Sequence, residues 1–171
     1  PPETLLEWPW QMDDETARLY ADVGVLLSGS TRDLVREFDY FDTEFQGWLQ
    51  ALLLRPFATR VIIESELTQP GTLDGYRLIV LPNATAISAE QKAALMAYVR
   101  GGGKLLLTYE AGTLNHDGTP SEEPLLAEAD RGEGLTRHEL ATGEIWHYGP
   151  KVGRLAFEER QLPAKYNRGG G

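Results

Sequence analysis

The chain has 171 residues, 42% of them apolar and 25% charged, which is enough to enclose a core and excludes a disordered segment. Its 16 Lys and Arg against 26 Asp and Glu leave a formal charge of −10, which argues against nucleic acid or an anionic membrane as partner. Without cysteine there is no disulfide, thiolate zinc site or cysteine nucleophile, and no apolar run approaches the roughly 20 residues that span a bilayer.

Residues 1–20 read as a connector. Pro1, Pro2 and Pro9 break regular structure, while Trp8 and Trp10 offer apolar faces to this domain's own core or to a neighbour. The segment lacks the basic and apolar regions of a signal peptide. A chain that opens on Pro1-Pro2 and closes on Gly169-Gly170-Gly171 reads as a piece of a longer protein. Composition leaves the compartment open, with the cytoplasm slightly favoured.

Asp22 to Ser28 is a short apolar run, the pattern of a strand covered on both faces, and Gly29-Ser30-Thr31 is expected to turn the chain. Residues 43–54 form the clearest helix: Phe45, Trp48, Leu49, Leu52 and Leu53 make one apolar stripe. Thr43 and Gln46 have capping-box spacing, and Pro56 stops the helix. Burying the stripe against a sheet is worth ~1.5–3 kcal/mol per large side chain before entropy is counted.

Thr59 to Glu64 is a second strand by its β-branched content, and Tyr76 to Leu81 is the expected central strand, ended by Pro82. Ser88 with Gln91 caps a helix running to about Arg100, which Gly101-Gly102-Gly103 closes with a left-handed residue. Lys104 to Tyr109 is another buried strand. Beyond residue 112 the pattern weakens: loop over 115–124, a short helix over 122–129, then late strands at 144–148 and 152–157, antiparallel across Gly149-Pro150. This alternation predicts an α/β domain over residues 21–158, a doubly wound and mostly parallel central sheet, and a tail over 159–171.

Ligands of such sheets bind outside the carboxyl ends of the strands, and that rule selects the candidates. Ser28, Ser30 and Thr31 form a small-polar loop whose amides and hydroxyls suit an anion, or serve only as turn and cap. Tyr109-Glu110-Ala111-Gly112 stands where hydrolases carry a nucleophile elbow; Glu110, with His116 and Asp117 nearby in sequence, is the candidate catalytic set, and structural roles for all three are the commoner outcome. His116, His138 and His147 lack metal-site spacing, so no metal is expected. Phe38, Tyr40 and Phe41 are candidate interface anchors.

The motif order is also familiar. A strand ending Leu26-Leu27-Ser28-Gly29-Ser30-Thr31 precedes Glu44-Phe45-Gln46-Gly47-Trp48. Then come Leu73-Asp74-Gly75-Tyr76-Arg77-Leu78-Ile79-Val80-Leu81-Pro82-Asn83, Ile87-Ser88-Ala89-Glu90-Gln91 and Tyr98-Val99-Arg100-Gly101-Gly102-Gly103. This resembles the trimerisation domain of family 42 β-galactosidases and related glycoside hydrolases, over roughly residues 20–112. The resemblance implies a three-layer flavodoxin-like, class I glutamine amidotransferase-like fold that has lost its nucleophilic cysteine, with Glu110-Ala111-Gly112 at the elbow. It implies a non-catalytic role in self-association, as a homo-oligomer and in particular a trimer. It also implies a separate catalytic barrel, whose active site such a domain can wall, and no cofactor. The alternative is a stand-alone amidotransferase-like or sugar-utilisation hydrolase using Glu110 and His116.

Overall fold

The computed structural model describes residues 21–34 and 43–150. The connector at 1–20, the aromatic trio Phe38, Tyr40 and Phe41, the strand expected at 152–157 and the tail at 159–171 lie outside them.

One six-stranded sheet organises the described residues: β1 (Val23–Leu27), β2 (Thr59–Ile63), β3 (Leu78–Leu81), β4 (Lys104–Thr108), β5 (Leu135–Leu140) and β6 (Gly143–Tyr148), in the order β2-β1-β3-β4-β6-β5. All neighbours are parallel except β5 and β6. The two central strands lie in register at Ile79↔Leu105 and Val80↔Leu106. Among the described residues three α-helices flank the sheet: α1 (Gly29–Leu34), α2 (Gln46–Leu53) and α3 (Ala89–Arg100). The expected α/β architecture with a mostly parallel sheet is present.

Because side chains alternate along a strand, β1 serves two layers. Leu26 joins Ile62, Ile79, Leu81, Leu105 and Leu107 in the larger core, which takes Leu95 and Val99 of α3. Val25 points the other way and packs with Phe45, against which Leu27, Leu49, Leu52 and Val61 also rest. Helix α2 therefore covers the sheet as expected, but only partly: Leu53, assigned to the buried stripe, is 60% exposed. The chain enters α2 through a wider, π-type turn at 43–45, and Phe45 at the N-cap position is already helical. The backbone is thus wound at Thr43, so Thr43 does not take the expected N-cap place.

Helix α3 follows its sequence signals closely. The Ser88 hydroxyl accepts the Gln91 N–H at 3.3 Å, and the Gln91 side chain accepts the Ser88 N–H at 2.8 Å. At the other end Gly102, with φ +104, is the left-handed residue. The Gly103 N–H then reaches Tyr98 O and the Gly102 N–H reaches Val99 O, the paired bonds of a Schellman stop.

Two further expectations differ from the structure, and β6 has an antiparallel neighbour that sequence reading did not name. Gly29-Ser30-Thr31 is the first turn of α1, because Ser28 receives the Thr31 N–H and the chain winds at once. The helix expected at 122–129 reduces to one 3₁₀ turn at Glu128–Asp130. The antiparallel partner of β6 within the described residues is β5, which precedes it and turns at Ala141-Thr142, with Ala141 at φ +55.

Candidate functional site

The rim at the carboxyl ends of the parallel strands gathers Ser28 after β1, Glu64 after β2, the 82–87 loop after β3 and Tyr109 after β4. The first cluster forms where α1 begins. Ser28 and Thr31 are fully buried, Ser28 Oγ lies 2.9 Å from Thr31 Oγ1, and Thr31 Oγ1 accepts the Ala86 N–H at 3.0 Å. The donors that would meet an incoming anion already face a carboxylate of the same chain. Glu64 accepts the Ser30 N–H at 2.8 Å, the Ser30 hydroxyl, and the Ser28 hydroxyl at 3.1 Å. Gln91 adds a further N–H at 3.4 Å. Burial pushes the Glu64 pKa up, but the Ser30 hydroxyl and amide, then Ser28 and Gln91, outweigh it and hold the carboxyl below the usual 4.5. Ser28, Ser30 and Thr31 thus come together as selected, around a partner that sequence reading did not name.

The second cluster is the elbow after β4. The chain reverses immediately beyond Thr108, since the Ala111 N–H returns to Thr108 O and the Gly112 N–H to Ala84 O. The reversal places Tyr109 at φ +52, a conformation costly for a side chain of that size. The strained residue is therefore Tyr109, one position before Glu110. Two groups hold it. Arg131 donates to Tyr109 O at 2.9 Å, to Ala111 O at 2.9 Å and to Leu126 O at 3.2 Å. His147 Nε2 lies 2.9 Å from the same Tyr109 carbonyl. A carbonyl only accepts, so Nε2 carries the proton and Nδ1 is the bare nitrogen, buried without a partner among the described residues. Burial pushes the His147 pKa below 6.5 against the hydrogen bond to Tyr109; the charge of Arg131 and nearby His138 push the same way as burial and favour the neutral ring.

Tyr109, Glu110, Arg131, Glu133 and His147 line a shallow depression of about 380 Å³. Neither His116 nor Asp117 lines it. Both are exposed, and Asp117 accepts the Thr119 N–H and hydroxyl at 3.0 and 2.6 Å. The structure thus does not unite Glu110 with His116 and Asp117, and the base nearest the elbow, His147, is committed to a backbone carbonyl. His138 sits on β5 beside Thr136 Oγ1 at 3.1 Å. Among the described residues no group of three or more His, Asp or Glu is placed to hold a metal, and no helix is long and apolar enough to cross a membrane.

Fold and rim together define a class: an α/β domain on a mostly parallel six-stranded sheet, whose elbow presents a tyrosine clamped through its carbonyl. The chain belongs to the β-galactosidase trimerisation domain family, which it matches over residues 27–142. Among solved structures it is similar to a catalytic mutant of Gan42B, a GH42 β-galactosidase from G. stearothermophilus, at 16% identity and a TM-score of 0.61, covering 81% of this chain and 29% of that one. A cold-adapted β-galactosidase from Rahnella sp. R3 aligns at 14% identity and 0.59, over 84% of this chain and 32% of that one. A β-galactosidase from Bifidobacterium adolescentis aligns at 13% and 0.52, over 85% and 100%. At these identities the likeness is one of fold, and the chain spans less than a third of the first two structures. No curated protein sequence matches it.

Sequence reading missed Glu64 and Arg131, and within the elbow it singled out Glu110 where the strained residue is Tyr109. The strand-end rule reaches Glu64, which directly follows β2. Nothing local marks Arg131, whose clamp on Tyr109 spans 22 positions.

Proposed function

We propose that this chain is the assembly domain of a carbohydrate-active, β-galactosidase-like enzyme, joining copies into a homo-oligomer, a trimer, beside a separate catalytic barrel. The match to the trimerisation domain family over residues 27–142 is the observation that carries this reading. The elbow agrees with it, since the strained position holds Tyr109 and its neighbouring imidazole is spent on a carbonyl. Phe38, Tyr40 and Phe41, outside the described residues, are the proposed contact anchors. Leu53 and Leu54, 60% and 61% exposed at the end of α2, add apolar surface that a neighbour would cover.

Light scattering on the full-length parent protein tests this, with and without residues 27–142. The intact protein runs as a trimer and the deletion falls to monomers. Glu110→Gln leaves turnover unchanged. A parent that is monomeric at high concentration, or whose activity vanishes with Glu110→Gln, overturns the reading.

A further inference from the structure

Helix α3 has a second face beside the one that Leu95 and Val99 give to the core, with Met96 touching both. Ala89, Lys92, Ala93, Met96 and Arg100 recur at helical spacing along it, and the 119–125 segment runs opposite. Between them lies a groove of about 670 Å³, a size that holds a small molecule.

Its polar feature is unusual. Lys92 is only 6% exposed, and its ammonium donates to Ser121 Oγ at 2.6 Å and to Asn115 Oδ1 at 3.4 Å, both neutral. No ion pair among the described residues includes it. An ammonium has three N–H donors, so one is left over. A cation removed from water is stabilised chiefly by an anion brought against it, and Lys92 has none. Glu122 and Glu123 also line the groove but are exposed and unpaired with it. Beside the ammonium the lining is mixed: Ala93, Met96, Pro124 and Leu125 are apolar, Arg100 and Thr119 polar.

We propose that this groove binds a small monocarboxylate with an apolar body, its carboxylate on the Lys92 ammonium and its body along Met96, Pro124 and Leu125. Lys92 is the buried cation of the lining and Arg100 an exposed one, and one buried cation with one spare donor matches a single carboxylate better than a phosphate, which draws on several donors. Burial already holds the Lys92 pKa below the usual 10.5, so the charged form gains from an arriving anion. The site stands apart from the elbow and from the assembly role, and does not depend on either.

Benzoate and its neutral isostere benzamide separate charge from shape. Added to the 171-residue chain in calorimetric titration and thermal unfolding, benzoate binds and raises Tm, and benzamide binds at least tenfold more weakly. Lys92→Met, which keeps the stem, loses the benzoate response by at least tenfold. Should that variant fail to fold, reductive methylation of the unaltered chain replaces it: benzoate slows labelling of Lys92 and benzamide does not. If Lys92 merely ties the 119–125 segment to α3, benzoate and benzamide act alike, Lys92→Met keeps its benzoate affinity, or labelling ignores benzoate. Any of these overturns the proposal.

Discussion

Replacing Arg131 by Met removes the clamp on the elbow while keeping most of the side-chain volume. The guanidinium serves three carbonyls, at 2.9, 2.9 and 3.2 Å. Tyr109 O keeps His147 in the variant, whereas Ala111 O and Leu126 O, on buried residues, lose a charged donor. A buried acceptor left unmet costs about 1–3 kcal/mol, and Arg131 is only half-buried, so water recovers part of it. The sum is about 2–4 kcal/mol, and at about 2–4 °C per kcal/mol for a chain of this size Tm falls by roughly 5–15 °C. Urea and thermal melts followed by circular dichroism measure it, with hydrogen exchange at Ala111 and Gly112 locating the loosening. Glu110→Gln and Glu128→Gln, both exposed, are the controls and stay within about 0.5 kcal/mol of the parent chain. An Arg131→Met variant as stable as those controls refutes the idea that the strained Tyr109 is held in place by this residue.

Gly143→Ala is expected to be among the most damaging small substitutions. A Cβ there falls inside contact distance of Val99 O and Gly103 O, which are backbone and cannot swing aside, so the loss is about 3 kcal/mol, read from the urea midpoint. His147 makes stability pH-dependent in one window. Its folded pKa lies below 6.5, so the unfolded chain binds the extra proton as pH drops past 6.5, and stability falls by up to about 1.4 kcal/mol per pH unit until the folded value is reached. His147→Gln keeps a donor for Tyr109 O and flattens that slope in urea titrations between pH 5 and 8; an unchanged slope assigns it elsewhere. Glu64 acts in a separate, lower window. Its folded pKa is depressed, so its contribution is complete above about 4.5 and is lost as pH falls through the folded value, and Glu64→Gln removes that acid limb.

Local chemistry explains which parts of the fold were legible. Helix α3 was readable from end to end because Ser88, Gln91 and the three glycines act on backbone groups within a few residues of themselves. The apolar runs of β1, β3 and β4 announced themselves because those strands are covered on both faces. Strand β5 stayed hidden because it is an edge. Of its half-buried positions Thr136, His138 and Leu140 only the last is apolar, while Leu135 is exposed, so the inside-outside alternation is not written in hydropathy, and the central pair of its turn lacks the usual glycine or asparagine.

What the sequence by itself determined is the layered α/β scaffold and the location of its loops, since periodicity and capping are short-range properties. What only the tertiary structure decided is who faces whom at the rim. Glu64 finds Ser30 across 34 positions and Arg131 finds Tyr109 across 22, while Lys92 ends buried without an anion. Such pairings depend on strand order and crossover lengths, and a side chain carries no mark of the partner that strands distant in sequence will bring beside it.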